Sequence, residues 1–203
     1  MSSRLPVKVV VVGPDRSDPG GVASYLNAVF PRLHSDDIET HYLEIGSTKS
    51  GGSKLYLLTD QLRLWRALVG IKPDVVHLNP SLDLRSYLRD GLFSLQVRLR
   101  RKKLLVFFHG WQQSFADRLT GALACFFRIT FGRADATIVL ARKFGQQLRC
   151  WGLTTPIHFG ATALEDTLLK AFSIEEKVVD LSSTREYRLL YLSRLEHAKG
   201  VLS

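Results

Sequence analysis

Apolar and polar positions alternate in blocks along this chain. Val7-Lys8-Val9-Val10-Val11-Val12-Gly13 is a nearly unbroken β-branched run, the pattern of a strand buried on both faces of a parallel sheet. A loop over 14–20 follows, and then Val22, Tyr25, Leu26, Val29 and Leu33 recur at helical spacing. Residues 38–45 read as a second strand, and 49–53, with Gly51-Gly52, as a flexible loop. Leu55, Leu58, Leu62, Trp65 and Val69 make one face of a helix. Strands are then predicted at 74–78, 104–108, 136–140 and 156–159, with helices at 86–99, 114–131 and 142–151.

Repeated β-α units imply an α/β fold, a Rossmann-like doubly wound parallel sheet with right-handed crossovers. The pattern changes after Gly160. Residues 1–160 are expected to form one domain, and 161–186 a polar linker with one short helix. Residues 187–203 open with another strand, Tyr187 to Leu192. They are expected to be the start of a second, truncated domain.

Composition narrows the class. The chain has 203 residues, 45% apolar and 23% charged, as in a soluble globular protein. No signal-peptide pattern is present, and no uncharged apolar stretch approaches the roughly 20 residues that span a bilayer. Cys125 and Cys150 lack metal-ligand spacing and read as free thiols of a cytoplasmic protein. The net charge of +9 is uneven: residues 85–103 carry seven basic side chains against one acid, Asp90. Such a patch attracts polyanions, or is simply a solvated helix end. With few interleaved aromatics and no recognisable motif around it, nucleic acid is not an expected partner.

Polar residues gather where the strands end, and ligands of open α/β sheets bind at that edge. Gly13-Pro14 ends the first strand, and Pro19-Gly20-Gly21-Val22 opens the first helix. Paired glycines let a ligand approach the backbone, and a helix N-terminus offers free N–H groups to a phosphate; a plain capping turn reads the same way. The spacing is neither G-x-G-x-x-G nor that of a P-loop, which argues against an NAD enzyme and an NTPase. Asp74-Val75-Val76-His77-Leu78-Asn79 and Phe107-Phe108-His109-Gly110-Trp111 end two further strands. Their imidazoles can bond a sugar hydroxyl or a phosphate, with Gly110 leaving room beside His109, or serve as structural residues. Arg194 and Lys199 flank a turn after the last strand, where two cations can converge on a diphosphate or remain solvated.

Taken in order, these motifs resemble the family-4-type (GT4) retaining glycosyltransferases of the GT-B architecture. The matching segments are Pro19-Gly20-Gly21-Val22, Lys72-Pro73-Asp74-Val75-Val76-His77, Phe108-His109-Gly110, Ala134-Asp135-Ala136-Thr137-Ile138-Val139-Leu140, Leu192-Ser193-Arg194-Leu195 and Lys199-Gly200-Val201. The resemblance implies two Rossmann-like domains, the N-terminal one binding mainly the acceptor and the C-terminal one the nucleotide-sugar donor. It implies that Gly20 and Gly21 approach the donor diphosphate and that the catalytic-site His109 sits beside the transferred sugar. Arg194 and Lys199 would then neutralise the leaving diphosphate, while His77, Asn79 and Trp111 are acceptor-side candidates. No metal and no tightly bound cofactor are expected. Ser193 departs from the family, where a glycine usually precedes the arginine. Without the rest of a donor domain, the chain alone is expected to be inactive or nearly so.

The acceptor is expected to be a glycan or a lipid-linked sugar. The basic 85–103 window and the apolar 119–127 run point to peripheral contact with an anionic membrane, on its cytoplasmic face. Two other classes stay open: a non-catalytic acceptor-binding or partner module, and a Rossmann oxidoreductase using Glu44 as its ribose-binding acid.

Overall fold

The computed structural model describes residues 5–18, 20–46, 55–163, 170 and 172–183. Six strands form one all-parallel sheet in the order β2-β1-β3-β5-β7-β8. They are β1 (Val7–Gly13), β2 (Ile38–Glu44), β3 (Val75–Leu78), β5 (Lys103–Phe108), β7 (Ala136–Val139) and β8 (Ile157–Phe159). A second, two-stranded ribbon pairs β4 (Ser81–Leu82) with β6 (Gly110–Trp111). Helices α1 (Gly21–Val29), α2 (Leu55–Gly70), α3 (Leu84–Leu99), α4 (Gln113–Ala116), α5 (Gly121–Ile129) and α6 (Arg142–Trp151) make the connections. This is the doubly wound α/β sheet that the β-branched runs predict. Because the order reverses at β1, the chain leaves that strand in both directions, which opens a crevice at its carboxyl end.

The two faces of the sheet are covered differently. Phe107 and Phe108 are adjacent on β5 and therefore point to opposite faces. Phe107 meets Tyr25 of α1 edge-on, whereas Phe108 packs against Phe131. On the Phe108 face, Val10, Val12, Val76, Leu78 and Val106 join Leu64, Leu68, Tyr87, Phe93 and Phe127 in the main core. Helices α2, α3 and α5 therefore lie on one face and α1 on the other.

Two predicted elements differ. The predicted apolar face of α2 lies outside where its side chains are described: Leu58 is 63% and Leu62 53% exposed, and Trp65 and Val69 are exposed too. The helix buries Asp60, Leu64 and Leu68 instead. Asp60 hides the true face from a hydrophobicity pattern, because its carboxylate is buried where it accepts from the Gly46 amide at 2.9 Å. The single helix predicted over 114–131 is broken into α4 and α5, with Gly121 in the left-handed region at φ 52. Its apolar run turns inward: Leu119, Ala124 and Phe127 are buried.

Two aspartates of the ordered motifs brace the far, amino edge of the sheet. Asp74 Oδ2 accepts from the Lys8 amide at 2.9 Å, tying β1 to β3. Asp135 accepts from the Leu104 amide at 2.9 Å and from Lys103 Nζ at 2.7 Å, tying β5 to β7.

By contact, the chain divides into units 1–164 and 165–203. In the second, α7 (Ile174–Ser183) starts at Ser173, whose Oγ accepts from the Glu176 amide at 3.2 Å as an N-cap does. This is the one short helix expected in the 161–186 segment. The strand expected at 187–192 lies outside the described residues.

Candidate functional site

The crevice at the end of β1 is built by hydrogen bonds that fix the 14–18 loop. Asp15 Oδ1 accepts from both the amide and the hydroxyl of Ser17, at 2.8 and 2.6 Å. Arg16 and Asn27 exchange two bonds that tie the loop to α1, and Tyr42 Oη donates to the Pro14 carbonyl at 2.6 Å. Gly13 is required here by contact: a Cβ would lie 2.5 Å from both Leu26 Cδ1 and Tyr42 Oη. Gly20 and Gly21 are different. A Cβ on either meets nothing within 4 Å among the described residues, and Gly20 is extended at φ 170. Among the described residues, neither packing nor backbone strain demands glycine at these two positions.

The helix end beside them is open. Helix α1 has no side-chain cap and no acid in its first turn. By contrast, the Asp83 carboxylate caps α3, accepting from the amides of Arg85 and Ser86 at 3.1 and 3.0 Å. An uncapped N-terminus keeps its N–H groups and partial positive charge for an anion. A cavity of about 150 Å³ lies alongside, lined by Gly13, Pro14, Gly46, Asn79, Ser86 and Arg89 among others.

Asn79 and His109 meet at this edge. Asn79 Nδ2 donates to the Val12 carbonyl at 3.0 Å, so its Oδ1 is the acceptor for His109 Nε2 at 2.9 Å. His109 therefore carries its proton on Nε2 and keeps a lone pair on Nδ1. Its ring is held between Phe107, at 3.8 Å between centroids, and Tyr25, at 4.6 Å. Burial, with the nearby His77 adding to it, lowers the pKa of His109 to about 4, so the ring is neutral near pH 7. The neutral imidazole is thus fixed in place and in tautomer.

His77 lies deeper on β3, opposite Val11 and Leu105 in the register. Burial lowers its pKa to about 4, and its Nε2 finds no partner among the described residues. Trp111 is set apart from His109 by packing: it stacks on Phe144 at 4.2 Å and on Trp151 at 5.7 Å. The room that Gly110 was expected to leave beside His109 is taken by β4, since a Cβ there would lie 2.6 Å from Ser81 Oγ. The glycine lets the two-stranded ribbon close. Arg194 and Lys199 lie outside the described residues.

The structure adds Tyr25 and Arg89, which the sequence patterns did not single out. Arg89 binds Asp90 through Nε and Nη2, at 2.7 and 3.0 Å, while its Nη1 comes close to Gly46 at the cavity wall. Burial pushes the Asp90 carboxyl up even though Arg89 pulls it down. In sequence Arg89 is one of seven basic residues in a run. Only the pairing with a buried acid distinguishes it, and that pairing is not visible in the pattern. The crevice therefore combines a helix end without a side-chain cap, a neutral imidazole and a charge-balanced polar wall.

A family model described as a glycosyl transferase 4-like domain matches residues 3–159. No curated protein sequence matches the chain. Among solved structures, a UDP-N-acetylglucosamine 2-epimerase is similar at TM-score 0.50 and 14% identity, over 71% of this chain and 45% of that one. The UDP-N-acetylglucosamine 2-epimerase from Rickettsia bellii is similar at TM-score 0.54 and 10% identity, over 90% of this chain and 50% of that one. At these identities the likeness is one of fold, and the chain spans about half the length of these proteins.

Proposed function

Because the chain belongs to the glycosyl transferase 4-like family, we propose that it is the acceptor-binding module of a nucleotide-sugar-dependent glycosyltransferase that retains anomeric configuration. The observation that carries this reading is the uncapped α1 N-terminus beside His109 and the Arg89 cavity. Gly20 and Gly21 admit the donor diphosphate against the α1 amides, and Arg194 and Lys199 neutralise it from a donor-binding domain. His109, neutral and held by Asn79, accepts a hydrogen bond at Nδ1 from a sugar hydroxyl. It adds no competing charge beside the diphosphate. Electrostatic help for the leaving diphosphate comes from the cations and the helix end, with no metal in the scheme.

The cavity wall fits the acceptor. Arg89 is balanced by Asp90, and with Asn79 and Ser86 it offers donors and acceptors without net charge. That suits the hydroxyls of a glycan or lipid-linked sugar at the cytoplasmic membrane face. Among the described residues no helix is long and apolar enough to cross a membrane, so a lipid-linked acceptor would be met at the bilayer surface.

Thermal-shift titration tests the ligand class. Joined to a donor-binding Rossmann domain, the protein should be stabilised by nucleotide sugars or nucleoside diphosphates and not by NAD(H) or NADP(H). Stabilisation by the dinucleotides alone would move the protein to the oxidoreductase class. Stabilisation of the joined protein by acceptor glycans, with none by any nucleotide sugar, would leave a non-catalytic binding module.

A further inference from the structure

Helices α2 and α3 pack side by side, joined where Gln96 Nε2 donates to Gln61 Oε1 at 2.6 Å and Gln61 donates to the Arg89 carbonyl at 3.1 Å. Their outward faces are apolar. Leu58, Leu62, Trp65 and Val69 on α2 are exposed, as are Leu84, Leu88, Leu92 and Leu99 on α3. These eight are most of the thirteen exposed large apolar side chains described within unit 1–164. An apolar surface gathered on two neighbouring helices marks an interaction site, unlike scattered single residues.

The charges on the same helices decide the partner. Each helix has one acid, Asp60 on α2 and Asp90 on α3, and both are buried, at 1% and 2% exposure. The exposed charges are all arginines: Arg63 and Arg66 on α2, Arg85 and Arg98 on α3, with Arg100 and Arg101 just beyond. Arg63 reaches back to Asp60 at 3.6 Å, and the Arg100 guanidinium lies 5.6 Å from the Trp65 ring centre. A leucine and tryptophan stripe, fringed by arginine and free of exposed acid, complements an anionic bilayer surface. The leucines enter the headgroup–acyl boundary, Trp65 sits at headgroup level, and the long arginines reach the phosphates. A protein partner of ordinary mixed charge would not select against every exposed acid.

We propose that the outward faces of α2 and α3 dock this protein on an anionic lipid bilayer. This surface is distinct from the 119–127 segment, in which Leu119, Ala124 and Phe127 are buried. The inference does not depend on the transferase reading: vesicle binding without sugar transfer would sink only that reading, and transfer without vesicle binding only this one.

The test is flotation with vesicles of phosphatidylcholine alone or mixed with phosphatidylglycerol. Wild-type protein is expected to float with the mixed vesicles at least tenfold more than with neutral ones, and less as salt rises. Leu62→Glu with Leu92→Glu, and separately Arg66→Glu with Arg100→Glu, should each reduce flotation at least tenfold. Arg142→Glu with Lys143→Glu on α6, also exposed, should reduce it by less than twofold. Brominated lipid should quench tryptophan emission in the wild type and not in Trp65→Phe, because Trp111 and Trp151 are stacked on one another. The proposal is overturned by absent flotation, by equal flotation with neutral vesicles, by an α6 variant as impaired as the others, or by quenching that survives Trp65→Phe. A dimer dispersed by the leucine substitutions, without vesicle binding, would assign the surface to a second copy and equally overturn it.

Discussion

Asn79 sets the protonation geometry of His109: its amide is committed to the Val12 carbonyl through Nδ2, so its Oδ1 at 2.9 Å holds the imidazole proton on Nε2. A residue one position past the end of β3 thereby determines which nitrogen of a residue one position past β5 carries the proton. Nitrogen-15 shifts of His109 should report the Nε2–H tautomer at neutral pH. In Asn79→Ala the ring should become a mixture of both tautomers. In Asn79→Asp the new carboxylate should raise the His109 pKa by roughly 1–3 units. An unchanged tautomer in the alanine variant would break the link.

The two histidines make stability depend on pH in a defined window. Burial lowers both to about 4 in the folded protein, against 6.5 for an ordinary histidine. Between these values the unfolded chain binds more protons than the native one. Stability is therefore fully present above about pH 6.5 and is lost as pH falls towards 4. For His77 alone the loss is on the order of 3 kcal/mol, at about 1.4 kcal/mol per unit. Urea denaturation across that range should show the loss, and His77→Gln should flatten the slope by about one proton. A slope that His77→Gln leaves unchanged would remove His77 as its source.

The glycines of the crevice should separate into two kinds. Gly13→Ala places a methyl into Leu26 and Tyr42 and should cost about 1–3 kcal/mol in overpacking. Gly20→Ala and Gly21→Ala meet nothing among the described residues and should cost less than Gly13→Ala, at most about 1 kcal/mol at the N-cap Gly20, while weakening nucleotide-sugar binding at least tenfold in the protein joined to a donor-binding domain. A stability loss at Gly21 as large as at Gly13 would make the turn a packing element.

Arg89 and Asp90 form a buried pair, so removing one partner should be costly. Arg89→Met leaves the Asp90 carboxylate uncompensated and should destabilise by about 3–5 kcal/mol. Adding Asp90→Asn should restore most of that loss in urea denaturation. Acceptor binding should stay impaired in the double variant, because the donor at the cavity wall is still gone. Full recovery of acceptor binding would show that Arg89 only fills space.

Most of the sheet was legible in the chain because its strands are written as uninterrupted runs. β1 needs only Val9 to Val12 and the flanking glycine to be recognised. That Asn79, His109 and Gly21 lie beyond the carboxyl ends of strands was legible too. The orientation of α2 was not legible, because leucines occupy two sides of that helix and the buried one contains Asp60. Arg89 was hidden for the same reason: its meaning lies in a carboxylate next to it that is buried, and burial is a tertiary property. Gly110 misled in a different way. Its missing side chain makes room for the β4 ribbon, and nothing in the residues 81–82 foretold a strand.

Sugar transfer itself tests the central claim most directly. The chain, joined to a donor-binding Rossmann domain, is incubated with labelled UDP-, GDP- and ADP-sugars and with soluble and lipid-linked glycan acceptors. The wild type should transfer label from at least one donor, and His109→Ala and Gly21→Val should each lose at least a hundredfold in kcat/KM with unchanged circular dichroism. A wild-type protein that transfers from none of the donors, or variants that transfer as well as it does, would contradict the account.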